Sequence, residues 1–206
     1  MSSPRFIGIA AGMAVGSHSA TSLNDYINGA ARPRLDQQVG EFSTVVEFFV
    51  VPEVQITEDV SAELEYSLML KSYSFDDRGG FSRSEFAYQV HLPSLTLHYL
   101  DIGEGYRLKF GGGLGYHFGR LSQSFAVFGG EEVFKASGLG IKLDAVGQTQ
   151  LDETLYGVLG VDVRWDFLGS MRRGDGTDVI DRTTDSAVRM SFFSFGLKMG
   201  ILFRLN

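Results

Sequence analysis

A period-two alternation of apolar and polar residues returns along almost the whole chain, and no other feature constrains the fold as tightly. It is sharpest in "YRLKFGGGLGYHFG", Tyr106 to Gly119. Tyr106, Leu108, Phe110, Leu114, Tyr116 and Phe118 share one face, and Arg107, Lys109, Gly111, Gly113, Gly115, His117 and Gly119 share the other. A strand with aromatics at both ends of so long a run fits a tilted bilayer crossing, which takes about 9–11 residues. A phosphate-cradling loop fits badly: neither G-x-G-x-x-G nor G-x-x-x-x-G-K-[ST] is completed, and no helical pattern follows.

The alternation recurs. Val60 to Tyr73 sets Leu64, Tyr66, Leu68 and Leu70 against Glu63, Glu65, Ser67 and Lys71, and Leu155 to Phe167 sets Leu159, Val161, Val163, Trp165 and Phe167 against Asp162, Arg164 and Asp166. Leu139, Ile141 and Leu143 oppose Gly140, Lys142 and Asp144, while Phe193, Phe195, Leu197, Met199, Ile201, Phe203 and Leu205 oppose Ser194, Gly196, Lys198 and Gly200. Weaker runs lie at Phe6 to Ser17, at Phe42 to Val51 with Glu47 on its polar side, and at Glu85 to Leu100. The last changes parity at Pro93, which predicts a bulge there, with Phe86 and Tyr88 facing outward and Glu85 inward.

These segments predict eight strands. The links after the second, fourth and sixth are short (Pro52 to Asp59, Asp101 to Gly105, Gln150 to Glu153), whereas His18 to Glu41, Arg120 to Glu132 and Gly169 to Ala187 are longer and polar. Short turns at one end and long loops at the other predict an all-β, eight-stranded antiparallel up-and-down transmembrane β-barrel, as a single domain over residues 1–206, with both termini at the short-turn end. Met1 to Ala20 has only Arg5 as a charged region, so it reads as a first strand that follows an export signal rather than as the signal itself. In the first long loop, "TSLNDYINGAARP" predicts one short helix, capped by Thr21 or Ser22 and ended by Gly29 or Pro33, over the barrel mouth.

Composition narrows the function classes. No run approaches the roughly 18 apolar residues of a membrane helix. A net charge of −7 gives no electrostatic case for nucleic acid, and the absence of cysteine leaves no disulfide framework or thiolate site.

"KMGILFRL" carries Lys198, Gly200, Phe203 and Leu205 at the spacing that resembles the C-terminal assembly signal of outer-membrane barrels, although the chain ends in Leu205 and Asn206 rather than an aromatic. "VHLPSLTLHY" followed by the glycine-rich strand is similar to the outer membrane protein β-barrel domain family, and the whole pattern resembles the small OmpA, OmpX and OmpW group. The resemblance implies a multi-pass place in the bacterial outer membrane, contact with its lipid and lipopolysaccharide, delivery by the barrel-assembly machinery, and protein partners met through the long loops. Two aromatic belts agree with it: Tyr99, Tyr106 and Phe203 toward the short turns, and Phe86, Tyr88, Tyr116, Phe118, Trp165, Phe167 and Phe193 toward the long loops.

The polar face collects Glu47, Glu63, Glu65, Glu85, Asp144, Asp162 and Asp166 with Lys71, Arg107, Lys109, Lys142, Arg164 and Lys198. An eight-stranded barrel is just wide enough for side chains to fill, so these charges are expected to pair across the lumen, with Gly111, Gly113, Gly115 and Gly140 leaving them room. No catalytic, cofactor or metal site is expected. His91, His98 and His117 read as a polar lining without metal-ligand spacing, and near-balanced charge favours structural pairing of the carboxylates over catalysis. The expected role is structural support, surface contact or limited passage of small molecules. Two alternatives are a lipid A-modifying barrel enzyme using His117, Ser122, Ser124, Glu131 and Glu132, and a soluble lipocalin-like carrier with Leu108, Phe110 and Leu114 lining an apolar cavity.

Overall fold

A computed structural model describes residues 6–31, 40, 42–76, 83–125, 130–181 and 184–206. The elements are β1 (Ile7–Ser19), α1 (Thr21–Ala31), β2 (Phe42–Gln55), β3 (Val60–Asp76), β4 (Arg83–Gly103), β5 (Tyr106–Phe125), β6 (Gly130–Gln150), β7 (Leu155–Ser170), β8 (Ile180–Asp181), β9 (Ser186–Ala187) and β10 (Arg189–Arg204). Eight of them close in the order β1-β10-β7-β6-β5-β4-β3-β2, each antiparallel to its sequence neighbour in the wall, and β8 pairs with β9 as a small hairpin in the last long connection.

Closure brings the two chain ends together. The N–H of Leu205 donates to the carbonyl of Ile7 at 2.8 Å, and Gly12 faces Gly200 while Gly16 faces Gly196 across the β1–β10 seam. A Cβ at Gly200 would lie 2.5 Å from the Ala11 carbonyl oxygen, and one at Gly16 would lie 2.6 Å from that of Phe195. The seam is therefore closed by glycine pairs because backbone fills the space where side chains would stand.

Pro93 makes no bulge. The pairing of β3 with β4 runs unbroken from Val60–Tyr99 to Asp76–Arg83, with Tyr66 opposite Pro93. On the other edge, His91–Phe118 and Ser94–Gly115 keep one register across a short gap in the ladder. Proline thus removes pairing locally without adding a residue. Parity is constant along β4, so Phe86 and Tyr88 point into the barrel and are buried, while Glu85 and His91 point out. These four expectations are corrected together.

What inverts is the environment. Near the short turns the outward positions are apolar and the inward ones include the buried charges; near the long loops the inward positions are apolar and the outward ones polar. On β5 the outward series runs Tyr106, Leu108, Phe110, Leu114, Tyr116, Phe118 and then Arg120, Ser122 and Ser124, whereas the inward series runs Arg107, Lys109, His117 and then Leu121. The wall strands of 13 to 21 residues outreach the roughly 9–11 needed to cross a bilayer, so their upper parts stand in water and need an apolar interior.

That upper interior is one apolar cluster, including Leu23, Ile27, Met69, Phe86, Val90, Leu92, Leu121, Phe134, Leu168, Met171, Met190 and Phe192. Helix α1 supplies Leu23 and Ile27, one turn apart on one face and fully buried. The helix begins where the N–H of Asn24 donates to the Ala20 carbonyl at 2.8 Å, and it is tied down by Tyr26, whose hydroxyl donates to Gln123 at 2.8 Å. It lies in the predicted segment and fills the barrel mouth, but Thr21 and Ser22 are already helical with Ala20 ahead of them, and the helix runs through Gly29 to Ala31. The Ser22 hydroxyl accepts from the Arg189 N–H at 3.0 Å, and Pro33 falls outside the described residues.

Candidate functional site

The lumen below the apolar cluster holds its charges in three linked groups. Nearest the short turns, Glu53 accepts from Arg107 at 2.8 Å, Lys109 at 2.9 Å and Gln148 at 3.0 Å, and Lys109 also pairs with Glu63. The Arg107 guanidinium carbon sits 3.7 Å from the centre of the Phe6 ring. In the middle, Glu65 accepts from both Lys198, at 2.7 Å, and Lys142; Lys142 continues to Asp144 at 3.0 Å, and Asp144 to His98 at 2.8 Å. Toward the long loops, Arg164 donates to both oxygens of Glu47, at 3.3 and 2.8 Å, and to Asp166 at 3.1 Å.

Asp166 leads to a relay. His117 Nδ1 lies 2.6 Å from Asp166, and its Nε2 lies 3.1 Å from the Ser94 hydroxyl. A carboxylate only accepts, so Nδ1 carries a proton, which in the neutral ring leaves Nε2 to accept from Ser94. The order serine, histidine, aspartate is that of a hydrolytic triad, but a nucleophile needs space for a substrate beside it. All three side chains are buried, and the His117 ring is packed over Gly115 and Gly140. A void of about 20 Å³, room for one water, lies between Glu63, Glu65, Lys109 and Lys198 on one side and Phe49, Val51 and Val146 on the other.

The layer is packed on its long-loop side and flanked within the lumen by apolar side chains. Above it is the apolar cluster with α1; beside it, across the same stretch of lumen, Phe6, Ala10, Phe49, Val51, Val146, Tyr156, Val158 and Leu202 form a second apolar cluster. Most of the charges buried this way satisfy one another, and breaking such a pair is strongly destabilising.

Of the polar-face residues named from sequence, Glu47, Glu63, Glu65, Arg107, Lys109, Lys142, Asp144, Arg164, Asp166 and Lys198 meet in this network. Asp162 is buried beside them without an ion-pair partner among the described residues. Lys71 lies higher, half-buried, donating to the Thr44 carbonyl at 2.8 Å, and Glu85 lies outside at 2.9 Å from Arg83. Sequence reading missed Glu53, because Pro52 reads as the start of a turn although β2 continues to Gln55. Its parity with Glu47 was the available signal. His18, bonded to Tyr88 in the upper cluster, was also missed, since the sequence pattern ends the first strand at Ser17 and puts His18 in the long loop, whereas β1 continues to Ser19.

His91 bonds outward to Tyr66 at 2.6 Å, so the three histidines do not converge. Nor do the residues of the lipid A enzyme alternative: His117 is inside, while Glu131 and Glu132 are exposed on β6 and Ser122 and Ser124 are half-buried on β5.

The outer wall decides the class. Leu114, Leu139, Leu159 and Leu95 are about 60% or more exposed around a lumen of salt bridges (66%, 64%, 60% and 59%), the reverse of a barrel that dissolves in water. No family model and no curated relative matches the sequence. Among solved structures, the Neisserial surface protein NspA aligns over 97% of this chain and 97% of its own at 12% identity, with a TM-score of 0.57. Ail, the attachment invasion locus protein of Yersinia pestis, crystallised with and without the heparin analogue sucrose octasulfate, aligns over 98% of this chain and 100% of its own at 13% identity, with a TM-score of 0.50. The outer membrane protease OmpT of Escherichia coli reaches a TM-score of 0.44 at 7% identity, a likeness that carries no argument.

The chain has the fold of a small outer-membrane β-barrel.

The residues assigned to belts follow from that barrel's wall. Tyr99, Tyr106 and Phe203 are exposed near the short turns, and Tyr116, Phe118, Trp165, Phe167 and Phe193 near the upper edge of the apolar band. Phe86 and Tyr88 belong to the interior instead. Leu108, Phe110 and Leu114 project from the wall rather than into a cavity, which removes the geometric basis of the soluble carrier. In the barrel, the terminal residues Lys198 and Gly200 serve the lumen network and the seam, while Phe203 and Leu205 face outward.

Proposed function

We propose that this chain is an integral outer-membrane protein whose sealed barrel anchors and displays surface-contact elements at its long-loop end, without conducting solutes and without catalysis. One observation carries the reading: among the described residues the lumen is packed with ion pairs and an apolar cluster side by side, and it is covered at the long-loop end by the upper apolar cluster with α1. A filled lumen makes the barrel a rigid support. The long-loop end carries the α1 plug, the β8–β9 hairpin and exposed Arg172 and Arg173, whose charge suits an anionic partner. NspA is named a surface protein, and Ail an attachment protein crystallised with a polyanion, which favours surface contact over transport. Contact with lipopolysaccharide and insertion by the barrel-assembly machinery follow from the same reading.

Planar-bilayer recording of the refolded protein, paired with mass spectrometry of lipid A from cells expressing it, tests the proposal. A flat trace and unchanged lipid A are expected. Sustained conductance steps would replace anchoring with passage, and altered acylation would make the protein an enzyme.

A further inference from the structure

The outer wall carries a row of cations placed side by side. Arg120 on β5 is the register partner of Lys135 on β6, and Lys135 is in turn bridged to Arg172 through backbone bonds of 2.8 and 2.9 Å. The third cation reaches the row through a local irregularity: from Gly138 to Lys135 is three residues, but from their partners Leu168 to Arg172 is four. The extra residue turns Met171 inward, fully buried, and Arg172 outward.

Like charges directly opposite on neighbouring strands repel, at a spacing of about 4.8 Å per strand. Among the described residues no carboxylate pairs with Arg120 or Lys135. Arg172 meets only Asp178, at 3.2 Å with both side chains largely in solvent. Asp175, the other nearby acid, is engaged by Thr177, which donates its N–H at 2.9 Å and its hydroxyl at 2.7 Å, and these bonds hold the carboxyl below its usual range. The repulsion is therefore left for something outside the chain to relieve.

The row overlooks a groove of about 680 Å³ lined by Gln89, Arg120, Lys135, Ser137, Arg172 and Arg173, with Phe118 at its lower side. Phe118 also borders an apolar groove directly beneath, formed by Leu95, Leu114, Tyr116 and Leu139 on the lipid-facing wall. A basic shelf that opens downward onto hydrocarbon is an amphipathic site, with its two halves in the order in which a membrane lipid presents headgroup and chains.

We propose that this face binds a phosphorylated lipid of the leaflet at the long-loop end. Its headgroup phosphate accepts from Arg120, Lys135 and Arg172, and its acyl chains lie along Tyr116, Leu114 and Leu139. The guanidinium of Arg172 and the ammonium of Lys135 supply charge-assisted donors, which are strongest where lipid excludes water on one side. This inference rests on the membrane-barrel reading and adds a lipid chemistry and a place to it.

The test uses the refolded full chain in phosphatidylcholine nanodiscs doped with diphosphoryl lipid A or with the same lipid stripped of phosphate, read by quenching of tryptophan fluorescence from spin-labelled versions; Trp165, the lone tryptophan, lies on the adjoining wall. Preference for the phosphorylated lipid by about tenfold is expected, the worth of one or two charge-assisted bonds. It should fall to none in R120S/K135S, persist in R83S, and fade as salt is raised in the unaltered protein. Equal quenching by both lipids, or an undiminished preference in R120S/K135S, would overturn the proposal. Effective competition by inorganic pyrophosphate would also overturn it, by showing a general anion site. Heat-dependent mobility on unboiled gels reports barrel formation separately, so a failure of the membrane reading is distinguishable from failure of lipid selectivity.

Discussion

The ring of His117 occupies the space that a side chain at Gly140 would fill. A Cβ built on Gly140 runs into that ring and comes within 2.8 Å of Asp166. The bare backbone of β6 is thus what lets the Ser94–His117–Asp166 relay form across β4, β5 and β7.

Gly140→Val is expected to destabilise the barrel by about 1–3 kcal/mol through overpacking. His117→Ala in the same chain should recover part of that loss, since it empties the contested volume. Urea unfolding from lipid vesicles in a double-mutant cycle measures both, and purely additive effects would show that the contact does not matter.

Glu65 accepts from Lys142 and Lys198 together, so truncating it strands the buried ammonium of Lys198 and leaves that of Lys142 with Asp144 alone. Glu65→Ala is expected to cost about 3–5 kcal/mol, the range for breaking a buried pair. Substituting Leu for Glu65 and Met for both lysines should recover much of the stability, because well-packed apolar side chains often replace buried ion pairs without loss. Tryptophan-monitored unfolding midpoints decide between the two outcomes.

Leu23 and Ile27 close the mouth, but the charged layer lies beneath them as a second barrier. Leu23→Ala should cost about 2–5 kcal/mol as a buried large-to-small change, if the site cannot collapse. Bilayers containing this variant should still record no conductance. Discrete steps appearing after this single change would mean that α1 alone is the gate.

Depth on the wall sets the tolerance for charge. Leu114→Arg places a cation in the apolar band and is expected to destabilise by about 2–4 kcal/mol, the range for the bilayer midplane. Gln89→Arg, higher on the same outward face, should be close to neutral unless it disturbs the adjacent cations. Vesicle-folding titrations of the two variants compare them directly, and equal costs would remove the boundary drawn between Phe118 and Arg120.

Much of this molecule was legible before folding. Alternation gave the strands, the lengths of the links gave the two ends, and "TSLNDYINGAARP" gave α1 almost to its boundaries. The error at Pro93 is informative because the residues truly change character there: Phe86 and Tyr88 are apolar and Glu85 polar, as an inversion requires. A period of two records that the two sides of a wall differ, without recording which side is the interior. Where lipid gives way to water outside, the apolar face must move inside, and from sequence that resembles a one-residue slip.

Sequence alone therefore determined the number of wall strands, their antiparallel order and the segregation of charge from the lipid-facing surface, because each is encoded by neighbours along the chain. Only the tertiary structure decided which charges meet: Arg164 finds Glu47 across a separation of 117 residues, and Glu53 finds Gln148 across 95. It also decided that Arg120, Lys135 and Arg172 share a row. Those pairings depend on register and on the closing of the wall, and the energy that selects them comes from side chains that become neighbours only once the barrel has shut.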